Sequence, residues 1–328
     1  MSTVYLSEQG AKLVKESKRF LVQKDNAVIL EIPEFKVERI FIFGNIQLTT
    51  QAMKYLLESG IDVSFFSLYG KFLGKLVPAE SKNVPLRIAQ YQHHFSEEFK
   101  LNTGKILVSG KIKNAKSLLL KYARNHPEVD FSHQINEMDR LLEEVFRKNS
   151  LSSLLGVEGR ASAVYFECFG KMILKNFTFT SRVARQPKDP VNSLLSFGYA
   201  LLTGELFSSL AARGFDPYLG FLHSHEYGRP ALALDLMEEF RQPVIDRLVL
   251  ELINKEMIKP DEFESTQQGL YLTDTARKEY LKNYERRMQT KISHADSTLS
   301  YREIVYYQVD AFAKALLEKK QYIPFEVR

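Results

Sequence analysis

Cysteine is almost absent: Cys168 stands alone among 328 residues, so no internal disulfide can form and the fold must rest on its core. Cys168 lies in an apolar run, which predicts a buried, inert thiol in a reducing compartment. No uninterrupted apolar run approaches the roughly 20 residues that span a bilayer, and no basic stretch followed by an apolar segment opens the chain. These absences predict a cytoplasmic protein with no membrane partner. Neither sign of charge prevails, with 45 Lys+Arg against 40 Asp+Glu and a net charge of +5. The first 80 residues hold 10 basic and 9 acidic side chains, so any nucleic-acid surface must be a local patch. HExxH, Walker A and GxSxG motifs are all missing, which excludes the sites they build.

What is present reads as an α+β chain of two domains: a small N-terminal β-rich domain and a larger all-α C-terminal catalytic domain. Residues 1–78 alternate in short apolar stretches that predict strands at 3–6, 19–22, 27–32, 37–43, 63–66 and 72–77. One helix, 51–59, is capped by Thr49 or Thr50 and ended by Gly60. With no concentrated polar cluster, this domain reads as a folding and dimerisation module. The segment PAESKNVP, 78–85, marks the boundary, with 79–85 as linker. Residues 86–328 show helical periodicity almost throughout.

One stretch, GFLHSHEYGRPALALDLMEEFRQPVIDR at 220–247, organises the chemistry. His223 falls in a loop, Gly228 to Pro230 break the chain, and a short apolar helix then carries Asp235 and Glu238. Carboxylates spaced i,i+3 project from one helix face and can converge on one point. A further acid is expected from SLSSLLGVEGRASAVYFECFGKMIL, 150–174, where Glu158 stands among Gly156, Gly159, Ala161 and Ala163. Glycines inside a helix cost about 1 kcal/mol each relative to alanine, so they predict another backbone or a ligand in close approach. Tight helix packing with Glu158 at a solvent edge is the competing reading.

Two or three carboxylates with one imidazole and no thiolate suit Mg²⁺ or Mn²⁺, the imidazole favouring Mn²⁺ slightly. Phosphodiester chemistry is the natural class for such an ion. Arg160, Arg229 and Arg241 stand near these acids as phosphate clamps or as their ion-pair partners. The basic loop SRVARQPKDP, 181–190, offers Arg182, Arg185 and Lys188, and its Asp189-Pro190 pair predicts a helix start. His225 and Glu226 read as surface or supporting residues. His93, His94, His126 and His133 lack a second ligand at useful spacing and read as satisfied structural groups.

Three segments, GVEGRASAVYF, RQPKDPVNSLLSFGYALL and DPYLGFLHSHEYGRPALALDLMEEFRQPVIDR, in that order, resemble the CRISPR-associated integrase family Cas1. The N-terminal segment IPEFKVERIFIFGNIQLTTQAMKYLLESGIDVSFF fits it too, so the resemblance spans nearly the whole chain. It implies a homodimerising β domain, a helical catalytic domain and a metal site of Glu158, His223 and Glu238, with Asp235 as the neighbouring acid. Many members carry aspartate where Glu238 stands, and Glu239 beside it competes for the role. The implied activity is metal-dependent DNA strand transfer into a CRISPR array, with nuclease activity as the same chemistry using water. Arg160, Arg182, Arg185, Lys188 and Arg241 are then the candidates for DNA backbone contacts, and Cas2 is the expected protein partner. A small-substrate phosphoesterase, or a DNA-binding assembly subunit without catalysis, are the alternatives.

Overall fold

The computed structural model describes residues 2–77, 81–183, 186–223, 226–318 and 320–327. The chain divides into one compact unit up to Ser81 and another from Lys82 onward. Residues 79 and 80 of the expected linker lie outside the described residues, as does 78 before them, while Pro85, expected in the linker, sits in the first turn of a helix.

In the first unit, strands β1 (Ser2–Leu6), β5 (Val37–Phe43) and β7 (Asp62–Phe66) run parallel, and β8 (Phe72–Leu76) closes the sheet antiparallel. A second sheet has the order β4-β3-β2-β6, built from β2 (Lys12–Glu16), β3 (Arg19–Lys24), β4 (Ala27–Pro33) and β6 (Gln47–Leu48). Alternation drives this: Phe20 and Val22 from β3 meet Ile40 and Ile42 from β5 in one apolar core. The opposite face of β5 is covered as well, by Phe41 and Phe43 against Phe66 at 5.1 and 5.0 Å between ring centres. Helix α1 (Thr50–Glu58) starts where Thr49 Oγ1 accepts the Ala52 N–H at 3.2 Å. Strands β2 and β6, absent from the reading of the sequence, complete the second sheet.

The second unit is helical: α2 (Val84–His94), α3 (Glu97–Asn125), α4 (Ser132–Arg147), α5 (Leu151–Lys171), α6 (Pro190–Arg213), α7 (Ala231–Met237), α8 (Arg247–Asn254), α9 (Asp274–Met288) and α10 (Tyr301–Glu318). Two hairpins add to it, β9 (Phe263–Thr266) with β10 (Gly269–Leu272) and β11 (Lys291–His294) with β12 (Ser297–Ser300). A π-helical turn, Arg241–Asp246, leads into α8. Helix α6 has the length and apolarity to cross a membrane, but 83% of that apolar window is buried inside the unit, as a core helix. Cys168 is buried with it, and burial pushes its thiol up to about 11.

Asp189 begins α6 as its cap, accepting the Asn192 N–H at 2.8 Å on Oδ1 and Asn192 Nδ2 at 2.7 Å on Oδ2. Asn192 in turn fixes the basic loop through Ser181 O and the Val183 N–H. Asp189→Ala therefore is expected to cost about 1–2 kcal/mol in urea unfolding, because it removes the cap and frees the amide that orders the loop.

Candidate active site

Asp235 on α7 is fully buried, and a buried carboxylate must be supplied with donors. The chain supplies them by wrapping a loop over it. Oδ2 accepts the Phe221 and Leu222 N–H groups at 2.5 and 3.0 Å, and Oδ1 accepts the His223 N–H at 2.9 Å. His223 Nδ1 lies 2.7 Å from Oδ1, so it carries the proton and Nε2 is left facing away from Asp235. A side chain at Gly220 would come within 2.7 Å of Asp235 Oδ2 and 2.8 Å of Ala231, so the wrap requires glycine there. Gln90 on α2 secures the loop by bonding Asp216 O, Leu219 O and the Asp216 N–H, and His94 bonds Gly220 O at 2.8 Å. Burial depresses the His223 imidazolium, but the bond to Asp235 and the charges of Asp235 and Glu238 outweigh it and raise the pKa.

Glu238 follows α7 directly and is 2% exposed. Its Oε1 lies 3.0 Å from Arg241 and 3.8 Å from His223 Nε2, and its Oε2 lies 2.7 Å from Lys111 Nζ. Oε2 makes no aligned hydrogen bond, so its attraction to Lys111 is through charge. Lys111, from the middle of α3, also donates to Glu158 Oε1, which accepts from Ser162 Oγ at 2.9 Å. Glu158 and Glu238 thus close on one cation from α5 and from the end of α7. Burial works against the Glu238 carboxylate, yet Arg241, Lys111 and His223 together hold its pKa at about 2. Burial likewise works against the Lys111 ammonium, and Glu238 and Glu158 more than restore it.

Glu239 points the other way. Its oxygens take Tyr322 Oη at 2.5 Å, Gln308 Nε2 at 3.1 Å and the Phe325 N–H, and burial still pushes its carboxyl up to about 8. Of the two adjacent acids, Glu238 is the one that shares space with His223 and Glu158.

The basic residues divide. Arg241 stacks 4.5 Å above the Tyr199 ring and Arg182 lies 5.3 Å from the same ring. Arg182 also bonds Asn192 Oδ1 and Ser196 Oγ, so its guanidinium is built into the loop. Tyr199 and Tyr165 donate to the buried Asp246 at 2.5 and 2.8 Å, and burial nevertheless pushes Asp246 up to about 6. Arg160 is largely exposed and paired with Glu137, and Lys188 is exposed. Arg229 pairs with Glu226. Arg185 and His225 lie outside the described residues.

One expectation changes, and one residue is added. A Cβ at Gly156 or Gly159 would meet nothing within 4 Å, so no backbone packs there. Both glycines lie on the exposed side of α5 beside Glu158, and with exposed Ala163 they leave open space along the helix. Lys111 was missed altogether, although it occurs between Leu107, Val108, Ile112 and Ala115, all buried, at core spacing on α3. A charge on the apolar face of a helix was the available signal.

Among the described residues, no three His, Cys, Asp or Glu groups already converge as a metal cluster. The donor chemistry nevertheless fits a hard divalent ion: two carboxylates reach one cation, Lys111, and an imidazole nitrogen faces one of them.

Asp235→Asn is expected to lower the His223 pKa from above its ordinary value to below it, since burial remains while the charged acceptor is gone; an NMR titration reads this directly. Asp246 has a folded pKa near 6, above the roughly 3.9 of an unfolded chain, so the folded state binds more protons in between. Stability is therefore present in full below about pH 4 and falls as pH rises to about 6, by on the order of 2–3 kcal/mol. Asp246→Asn should remove that fall from pH-dependent urea melts.

The model of the family CRISPR associated protein Cas1 matches residues 4–286. The chain is 36% identical over 333 residues to CRISPR-associated endonuclease Cas1 3 of Thermus thermophilus, covering 100% of this chain and 98% of the relative. Its fold is similar to a casposase bound to integration product, with a TM-score of 0.87 and 25% identity over 99% of this chain and 93% of the other. A Cas6-RT-Cas1–Cas2 complex contains a chain similar to all of this one, with a TM-score of 0.84 and 26% identity over 36% of that longer chain. With its fold, its paired carboxylates and its oriented histidine, the chain belongs to the Cas1 family.

Proposed function

We propose that this chain is a DNA integrase and endonuclease that inserts short fragments into a CRISPR array. One observation carries the reading: Glu158 and Glu238, from separate elements, close on a single buried cation beside an imidazole that Asp235 orients. Glu158, Glu238 and His223 Nε2 are the groups that would hold Mg²⁺ or Mn²⁺. When bound, the ion neutralises charge on the phosphoryl and leaving oxygens.

The chain's own residues do the rest. Asp235 positions His223, and with four donors on its two oxygens it is occupied and exchanges no proton with DNA. Arg241 and Lys111 keep Glu238 ionised. The exposed side of α5 at Gly156, Gly159 and Ala163 gives a polymer room to approach Glu158. Arg160 and Lys188 are exposed for backbone phosphates, while Arg182 and Arg241 contribute positive field from within. In the reaction, the 3′-hydroxyl of the fragment forms a new phosphorus–oxygen bond at the edge of a repeat. The old bond breaks, the attacking hydroxyl loses its proton, and the departing 3′-oxygen takes one up. Water in place of that hydroxyl gives hydrolysis.

Self-association is assigned to the β-rich unit, where Val28, Ile29 and Leu30 on edge strand β4 are 47–49% exposed. Cas2, named in the complex that holds the similar chain, is the proposed protein partner, bridging two dimers.

A strand-transfer assay on repeat DNA tests this reading. Activity should vanish with a chelator and return with Mg²⁺ or Mn²⁺. Glu158→Ala, His223→Ala and Glu238→Ala should each lose more than about 100-fold while remaining folded, whereas Glu239→Ala stays within the roughly 10–100-fold loss typical of groups behind a ligand. Joining that survives chelation, or survives in the Glu158 and His223 variants, would refute it.

A further inference from the structure

Residues 322–327, near the end of the chain, lie beyond the 4–286 matched by the family model, and they pack behind the acidic pair. Tyr322 Oη donates to Glu239 Oε1 at 2.5 Å, and the Phe325 N–H donates to Glu239 Oε2. Gln308 on α10 ties the same group together, reaching Glu239 Oε2, Tyr322 Oη and Ile323 O at 3.1, 2.8 and 3.0 Å. The segment also grips α3. Asn114, three residues past Lys111, donates to Glu239 O and Phe325 O, both at 2.8 Å, and accepts the Val327 N–H at 2.9 Å. Phe325 stacks on Phe240 with ring centres 5.2 Å apart. Pro324 presses so closely on Gly110 that a Cβ there would lie 2.9 Å from its ring.

The same few residues therefore hold the neighbour of Glu238 and both flanks of Lys111. Glu239 is fixed at its side chain and its peptide oxygen, which anchors the backbone directly after Glu238. A buried polar network with every member satisfied specifies one arrangement. Groups that hold ligands in this way tune the affinity of the ion they never touch.

We propose that segment 322–327 is a positioning element of the active site, which sets the direction of Glu238 and Lys111 by holding Glu239, Asn114 and Gly110. The proposal rests on the reading of Glu158, His223 and Glu238 as the ion-binding set.

The test uses the full-length protein and Mn²⁺ alone, titrated calorimetrically without DNA, with thermal melts alongside. Gly110→Val inserts side-chain bulk against Pro324 while improving helix propensity in α3. It should weaken Mn²⁺ binding about 10–100-fold, and in strand transfer lower kcat with little change in KM for DNA. The double variant Gly110→Val with Pro324→Gly, which removes the opposing ring, should recover binding. Tyr322→Phe deletes one hydroxyl and should weaken Mn²⁺ binding about 10-fold. Unchanged Mn²⁺ affinity in Gly110→Val, or weakening that Pro324→Gly does not relieve, overturns the proposal. If Gly110→Val does not fold, Tyr322→Phe decides alone, and wild-type affinity in it is equally fatal. Glu158→Ala separates the two readings: if it binds Mn²⁺ normally, the ion-site assignment fails, whereas loss there with normal binding in the tail variants defeats only the positioning role.

Discussion

A carboxylate with no exposure to water is the constraint on which this site depends. Asp235 can remain in the core only if donors come to it, and the nearest ones are the peptide groups of 221–223. Once the loop folds over it, the imidazole of His223 has one nitrogen committed and the other directed outward. Gly220, Gln90 and His94 follow from the same demand, one by yielding space and two by securing the loop's other polar groups. Structure and chemistry share a cause here: the arrangement that satisfies a buried acid also prepares a histidine.

Around this anchor the charges alternate. Glu158 and Glu238 face Lys111, Glu238 also faces Arg241, and Arg241 shares Tyr199 with Arg182 and with Asp246. Two carboxylates brought together without these cations would repel, and one would protonate. With them, Glu238 stays ionised well below neutrality, whereas its neighbour Glu239, surrounded by neutral donors, does not. Adjacent glutamates thus acquire opposite behaviour from their surroundings alone.

Much of this was legible beforehand. The short apolar stretches at β3, β4, β5 and β7 and the Thr49 and Asp189 caps are local signals, and they held in the fold. The neighbourhood of His223, Asp235 and Glu238 was readable because loop and helix adjoin in sequence. Lys111 was legible only as a charge on the apolar face of a 29-residue helix; its partners were not, since only the three-dimensional meeting of α3 with α5 and α7 brings Glu158 and Glu238 to it. The β11–β12 hairpin turns at Ala295 and Asp296, both at positive φ, where no glycine announces the turn. Of the two meanings that Gly156 and Gly159 offered, a packed backbone or a ligand in close approach, the backbone fails, because a missing side chain marks open space as readily as close packing.

The π-helical turn at Arg241–Asp246 carries a consequence for length. In an α-helix, residues five apart do not share a face, yet Arg241 and Asp246 both reach Tyr199, one at its ring and one at its hydroxyl. The wider turn is what aligns them. Deleting a single residue here would restore ordinary helical winding and carry the arginine off Glu238 or the aspartate off the tyrosine. The segment can therefore absorb changes of side chain more readily than a change of one in its residue count.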